Sequence, residues 1–126
     1  MDEIVCQVFA VDTDYGGIVH HASYWRYLEQ ARTAWVAARD PSMLQQPISQ
    51  FLVVAHLEAS YLKPARLHQQ LRVSTLAHLL RPTQLCFVQK ICDEITGQKL
   101  FEAKVTMVCV NANMQPQAIP LSLTNC

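Results

Sequence analysis

The sequence predicts an α+β fold in which a curved antiparallel β-sheet wraps one long central α-helix. Three observations predict it: an apolar, β-rich run opens the chain, a single helical pattern follows, and four strand patterns then succeed one another. Strands joined by short turns pair antiparallel, because a parallel pair needs a crossover of a dozen or more residues. A chain of 126 residues reads as one domain, 1–126. It can bury roughly two thirds of the surface that its unfolded form exposes, so it needs no disulfide or metal merely to fold.

The run "EIVCQVFAV", Glu3 to Val11, is bounded by an Asp/Gly cluster and reads as the first strand. From Ser23 to Arg39 the pattern turns helical, with Tyr24, Leu28, Ala31, Trp35 and Ala38 on one apolar face. Ser23 is the predicted N-cap, and the Asp40-Pro41 step ends the helix because a residue before proline avoids the α region. A polar segment with Pro41 and Pro47 follows, long enough for a short helical turn. In Phe51 to Leu62, alternation puts Val53, Ala55, Leu57, Ala59 and Tyr61 on one face, with His56, Glu58 and Ser60 opposite. Leu71 to Leu80, Gln84 to Asp93 and Lys99 to Val110 continue the strands; "EITGQ" joins the last two, with Gly97 supplying a positive φ. A helix of ~17 residues is about 25 Å long, enough to cross such a sheet. Trp25, Trp35, Tyr24 and Tyr27 give it more aromatic bulk than a flat sheet would cover, hence the expected wrapping.

Ten basic and ten acidic side chains balance, leaving no field to hold a nucleic-acid backbone or an anionic membrane. The opening "MDEIVCQVFAVD" carries acids where a secretory signal needs a basic region, and no apolar run approaches the ~20 residues of a membrane span. A soluble, cytoplasmic protein is expected. Five cysteines (Cys6, Cys86, Cys92, Cys109, Cys126) are an odd number without C-x-x-C spacing, which argues against a disulfide framework and a zinc knuckle. Four of them lie in strand-like runs and read as small buried hydrophobes.

The chemistry concentrates in "FAVDTDYGGIVHHASYWRYLEQAR". Asp12 and Asp14 follow the first strand, and Gly16-Gly17 lets the backbone turn tightly and approach a ligand before the helix begins. A carboxylate beside a helix N-terminus suits acyl hydrolysis: amides polarise a carbonyl, while the carboxylate attacks it or draws a proton from water. The competing reading is an Asx-type turn in which an aspartate only caps loop amides. Asp12, Asp14, His20 and His21 are also four potential metal ligands, but adjacent histidines tend to project apart and no H-E-x-x-H spacing is present, so no metal or other cofactor is expected. His56 and His78 on strands, and His68 near a turn, read as ordinary histidines. An aspartyl phosphatase would want a parallel sheet and a later acidic pair for magnesium, and the element order speaks against it.

"VDTDYGGIVHHASYWRYLEQAR" closely resembles the D-x-D-x-x-G-x-V-x-x-x-x-Y segment of the 4-hydroxybenzoyl-CoA thioesterase family, and within it the Tol-Pal-associated acyl-CoA thioesterases of the YbgC type. "SYLKPARLHQQLRV", "FVQKI" and "EAKVTMVCVN...QPQAIP" resemble that subfamily's later strands and tail, so the likeness spans nearly the whole chain. It implies the hotdog fold, a helix swaddled by an antiparallel sheet, and hydrolysis of an acyl-CoA thioester to a carboxylic acid and free CoA. It also implies that Asp14 is the catalytic carboxylate, as nucleophile or general base, and that the backbone amide of His21 polarises the thioester carbonyl. The His21 imidazole is then not required.

Gly16 and Gly17 would shape the substrate site, and Tyr15, where many relatives have a small residue or proline, would alter its outline. Asp12 matches the first aspartate of the pattern and takes a loop-holding role. Glu29 is either a second acid or half of an ion pair with Arg26 or Arg32. Lys63, Arg66 and Arg81 are the candidate contacts for the CoA phosphates. Proteins of this family resemble dimers whose sheets join edge to edge, often paired again into a homotetramer, which removes exposed edges. The competing function is a scaffold module that holds acyl carrier protein or a lipid-synthesis enzyme with little turnover. A hotdog dehydratase would want a catalytic histidine paired with an acid, and the helix offers Glu29 alone.

Overall fold

A computed structural model describes residues 2–14, 16–45 and 49–124. Tyr15, Pro47 and Cys126, each weighed above, lie outside the described residues. The elements run β1 (Asp2–Gln7), a 3₁₀ turn (Ala10–Asp12), α1 (Ser23–Arg39), a second 3₁₀ turn (Pro41–Leu44), β2 (Gln50–Tyr61), β3 (Gln70–Arg81), β4 (Gln84–Asp93), β5 (Lys99–Asn111) and a terminal turn of helix, α2 (Leu121–Thr124). The strands form one antiparallel sheet in the order β1-β3-β4-β5-β2. With α1 packed on one face, this is the α+β hotdog arrangement that the pattern and the family likeness imply.

The first strand is shorter than the apolar run predicts. Asp12 Oδ2 accepts the Phe9 amide at 3.0 Å and pulls Ala10–Asp12 into a 3₁₀ turn, so pairing along β1 ends at Gln7. α1 has the predicted bounds, but its N-cap is Ala22, without a side-chain cap, and Ser23 is the first helical residue. Its buried face is Tyr24, Tyr27, Leu28, Ala31, Trp35 and Val36. Ala38 lies outside that face, and Tyr27 and Val36 widen it because a curved sheet touches more of the helix than one stripe. Trp35 meets Phe87 of β4 edge-on at 5.2 Å, tying the helix to the sheet centre.

A β-bulge between Val54 and His56 changes the reading of β2. Before it, Leu52 and Val54 sit opposite the core residues Cys109 and Met107; after it, Leu57, Ala59 and Tyr61 sit opposite Val105, Ala103 and Phe101. One extra residue switches which side chains point inward, so Val53 and Ala55 fall off the predicted face. The inward side of β2 is also open: Val54, Leu57 and Tyr61 remain 50%, 39% and 49% exposed. α1 packs on β1 and β3 and, through Trp35–Phe87 and Tyr24–Phe101, on β4 and β5; it meets β2 at Tyr61 and leaves a groove beside Leu52 and Val54.

Cys6, Cys86 and Cys109 are buried, Cys92 is half-buried, and all four are free thiols. Among the described residues, no helix is long and apolar enough to cross a membrane.

Candidate active site

The loop between β1 and α1 is stitched to the segment joining β2 to β3. Val8 N–H donates to Gln69 O at 2.9 Å, Leu67 N–H to Gly17 O at 3.0 Å and Val19 N–H to Ala65 O at 2.8 Å. The small hairpin that carries Asp14 closes on itself, with Asp14 N–H donating to Ile18 O (3.0 Å) and Gly17 N–H to Asp14 O (3.1 Å). Gly17 has φ +78°, a conformation open to glycine at little cost. Gly16 has a different reason to be glycine: a Cβ there would stand 3.2 Å from Asp14 Oδ1.

The two aspartates separate cleanly. Asp12 is buried, pairs with Arg26 and caps the Phe9 amide. Burial works against its charge, but the Phe9 and Arg26 hydrogen bonds outweigh it and hold the carboxyl below the usual carboxylate range. Tyr27 is buried against this pair, and desolvation together with the Asp12 carboxylate pushes its hydroxyl well above the ordinary phenol value. Asp12 therefore has the loop-holding role. Asp14 is exposed, and its Oδ1 accepts only the Gly16 amide, at 2.8 Å, among the described residues. Its second oxygen accepts no hydrogen bond among the described residues.

Asp14 opens on a pocket of about 400 Å³ lined by Ile18, Val19, His20, His21, Tyr24, Tyr61, Leu62, Lys63 and Pro64. At its floor the chain turns into α1. His20 N–H donates to Asp12 O and Ser23 N–H to His20 O, both at 2.8 Å. The carbonyl and amide of a trans peptide point in opposite directions. With the His20 carbonyl turned into the helix, the amide of the same peptide, His21 N–H, is turned outward. No acceptor takes it among the described residues. Ala22 N–H is already engaged, donating to His20 Nδ1 at 3.2 Å. The two imidazoles lie against each other at 4.3 Å rather than projecting apart as expected. Even so, no three His, Cys, Asp or Glu side chains group as metal ligands among the described residues.

The pocket thus brings together Asp14, His21 and Lys63, with Gly16 and Gly17 forming the turn beside it. Arg66 is exposed next door, its backbone bridged to Ile18, but it is not part of the lining. Arg81 sits at the far end of the twelve-residue β3, about 35 Å along the strand from the loop, and does not meet Asp14 within one chain. Glu29 makes no ion pair within 4 Å among the described residues. Arg26 is taken by Asp12, and Arg32 Nη1 donates instead to the buried Gln89 Oε1 at 3.0 Å. Glu29 lines a separate stretch of the groove between α1 and β2, with Arg32, Val36, Leu52, Val54 and Met107. A further depression of about 270 Å³ on the sheet lies between Glu58, Lys90, Glu102 and Lys104, with Ala59, Ser60, Val88 and Ala103 completing its lining.

Sequence reasoning missed two contributors. Tyr61 reads as an inward strand residue, yet its hydroxyl reaches across the pocket and donates to His21 O at 3.1 Å. Tyr24 reads as core, yet its hydroxyl accepts the Ala65 amide at 3.1 Å and so fixes the pocket wall. Neither has a sequence signal, because the contacts span 40 or more residues.

Residues 16–99 match the model of the Thioesterase superfamily. The chain belongs to that family. It is 37% identical over 121 residues to the acyl-CoA thioester hydrolase YbgC of Escherichia coli, an alignment covering 93% of this chain and 88% of that protein. Against the acyl-CoA thioesterase YbgC of Haemophilus influenzae it is 31% identical over 119 residues, 90% of this chain and 85% of that one. The fold matches that of a 1,4-dihydroxy-2-naphthoyl-CoA thioesterase from Synechocystis with a TM-score of 0.85 at 18% identity, covering 95% of this chain and 90% of that one. Within the superfamily this places the chain among the YbgC-like, hotdog-fold thioester hydrolases.

Proposed function

We propose that this protein is a cytoplasmic acyl-CoA thioesterase that uses Asp14 and the His21 backbone amide. One observation carries the reading: Asp14 and His21 line the same pocket, and among the described residues one Asp14 carboxylate oxygen and the His21 amide have no hydrogen-bond partner. The amide hydrogen-bonds the thioester oxygen and stabilises the oxyanion as the carbonyl carbon becomes tetrahedral. Asp14 either attacks that carbon, expelling CoA thiolate and leaving a mixed anhydride for water to cleave, or takes a proton from the water that attacks. Both routes end in a carboxylic acid and free CoA. Free thiols at four described cysteines fit a reducing compartment.

Lys63 at the rim, with Arg66 beside it, is suited to the CoA phosphates. Arg81 can serve only from a second copy. Among the described residues β2 pairs with β5 alone, leaving an open edge beside exposed Val54, Leu57 and Tyr61, and a dimer joined through β2 would cover both.

Thiol release from a panel of short, long and aromatic acyl-CoAs tests the reading. Wild type should hydrolyse at least one, and Asp14→Asn should lose most of that rate with an unchanged circular-dichroism spectrum. An Asp14→Asn protein with the wild-type rate removes Asp14 from the mechanism. A protein inert to the whole panel that retains acyl carrier protein equally well with or without Asp14 would be a scaffold.

A further inference from the structure

The peptide that follows the His21 amide is gripped at both ends. Its carbonyl, His21 O, accepts the Tyr61 hydroxyl at 3.1 Å, and its N–H, on Ala22, donates to His20 Nδ1 at 3.2 Å. This peptide plane and the one bearing His21 N–H are hinged only at the His21 Cα, so the direction of the amide depends on where the second plane is held. At the end of β2, 40 residues along the chain, Tyr61 is on the opposite wall of the pocket.

Its half-exposed ring is braced by three aromatic neighbours. It lies edge-on to Tyr24 at 5.3 Å, to Trp25 at 6.3 Å and to Phe101 at 5.0 Å, and aromatic contacts of this geometry favour a defined orientation. The hydroxyl is thus presented to the His21 carbonyl from a packed base. Desolvation, and the neighbouring Tyr24, raise its pKa above the ordinary phenol value, which keeps it a donor.

We propose that Tyr61 is a positioning residue for the thioesterase reaction: by holding the His21 carbonyl from across the pocket, it keeps the His21 amide aimed at the substrate carbonyl. This rests on the reading of His21 N–H as the polarising donor. Tyr61 transfers no proton, since its hydroxyl hydrogen is already committed to His21 O.

Tyr61→Phe keeps the ring and its packing and deletes only the strut. On an acyl-CoA that wild type hydrolyses, kcat should fall roughly five- to tenfold, the range expected for loss of one hydrogen bond, with KM within about twofold. In ¹H–¹⁵N spectra of the full-length protein the His21 amide peak should shift, while those of Leu28 and Trp35 within α1 stay in place. A wild-type kcat with an unmoved His21 peak overturns the proposal, and so does a raised KM with unchanged kcat, which would make Tyr61 a plain substrate contact. Asp14→Asn, measured alongside, separates the two readings. If it keeps the wild-type rate, the catalytic reading of the loop fails; if it is inactive while Tyr61→Phe is fully active, only the Tyr61 proposal fails.

Discussion

The Gly16 amide donates to Asp14 Oδ1 at 2.8 Å, and a Cβ on Gly16 would come within 3.2 Å of that same oxygen. Gly16→Ala should therefore act on the carboxylate, lowering kcat about tenfold with little change in unfolding midpoint. Gly17→Ala meets nothing within 4 Å but must hold φ +78°, so its cost should fall on stability, about 1 kcal/mol in urea unfolding. Measuring both variants by both assays checks the division; a Gly16→Ala protein with wild-type kcat would mean the contact shapes only the turn.

At His21 the backbone and the side chain should separate. His21→Ala retains the outward amide and is expected to keep kcat within about threefold, whereas His21→Pro removes the N–H and should cost on the order of a hundredfold or more. Steady-state kinetics decide, and a large loss in His21→Ala would assign a role to the imidazole.

Asp12 makes stability depend on acid. Its folded-state pKa is depressed, with burial opposing and the Phe9 and Arg26 hydrogen bonds prevailing, so the unfolded chain binds more protons as the pH falls toward the carboxylate range. Its contribution is complete above the unfolded pKa of about 3.9 and is lost as pH drops through the lower folded value. Asp12→Asn should therefore be less stable at neutral pH, by about 2 kcal/mol, and show a shallower decline below pH 4. Urea unfolding from pH 2 to 7 reads this directly; parallel curves for the two proteins would contradict it.

Gln89, fully buried on β4, joins helix to sheet: Nε2 donates to Leu28 O and to Thr75 Oγ1, both at 3.1 Å, and Oε1 accepts from Arg32. Among the described residues the buried Nε of Arg32 has no partner, and desolvation lowers the pKa of the guanidinium. Gln89→Leu should cost about 2–4 kcal/mol by stranding that guanidinium, and Arg32→Met/Gln89→Leu should cost less than the two single losses added. A double-mutant cycle in guanidinium unfolding gives the coupling, and strict additivity would show that the pair acts independently.

The open side of β2 has a consequence for assembly. If a second copy covers it, the wild type should sediment as a dimer or larger species at micromolar concentration, and Leu57→Asp should shift it toward monomer and reduce thioesterase activity. Analytical ultracentrifugation tests this, and a monomeric wild type would remove the dimer.

The order of the long helix and the five strands, and the bounds of α1, were legible in the chain because they rest on local patterns: period 3.6 from Tyr24 to Trp35, alternation along β3 to β5, and proline and glycine at the breaks; the 3₁₀ turn at Ala10–Asp12 and the terminal α2 were not. The turn at Gly16-Gly17 and the candidacy of Asp14 were legible for the same reason, since residue type at a fixed spacing states what a loop is able to do. The bulge at Ala55 was not, because alternation continues through it in the sequence and only the pairing of β2 with β5 exposes the extra residue. Nor was the partner of Arg32, where a helical neighbour at Glu29 competes with a glutamine 57 positions away.

Local chemistry thus specifies a helix following a D-x-D-x-G-G turn, and the likeness of nearly the whole chain to known thioesterases points to the family. Only the folded chain shows Asp12 buried against Arg26, Asp14 lining the pocket, the His21 amide without an acceptor among the described residues, and Tyr61 reaching the His21 carbonyl. Burial and hydrogen-bond commitment are properties of residues brought together from distant parts of the chain, and no spacing within the loop encodes them.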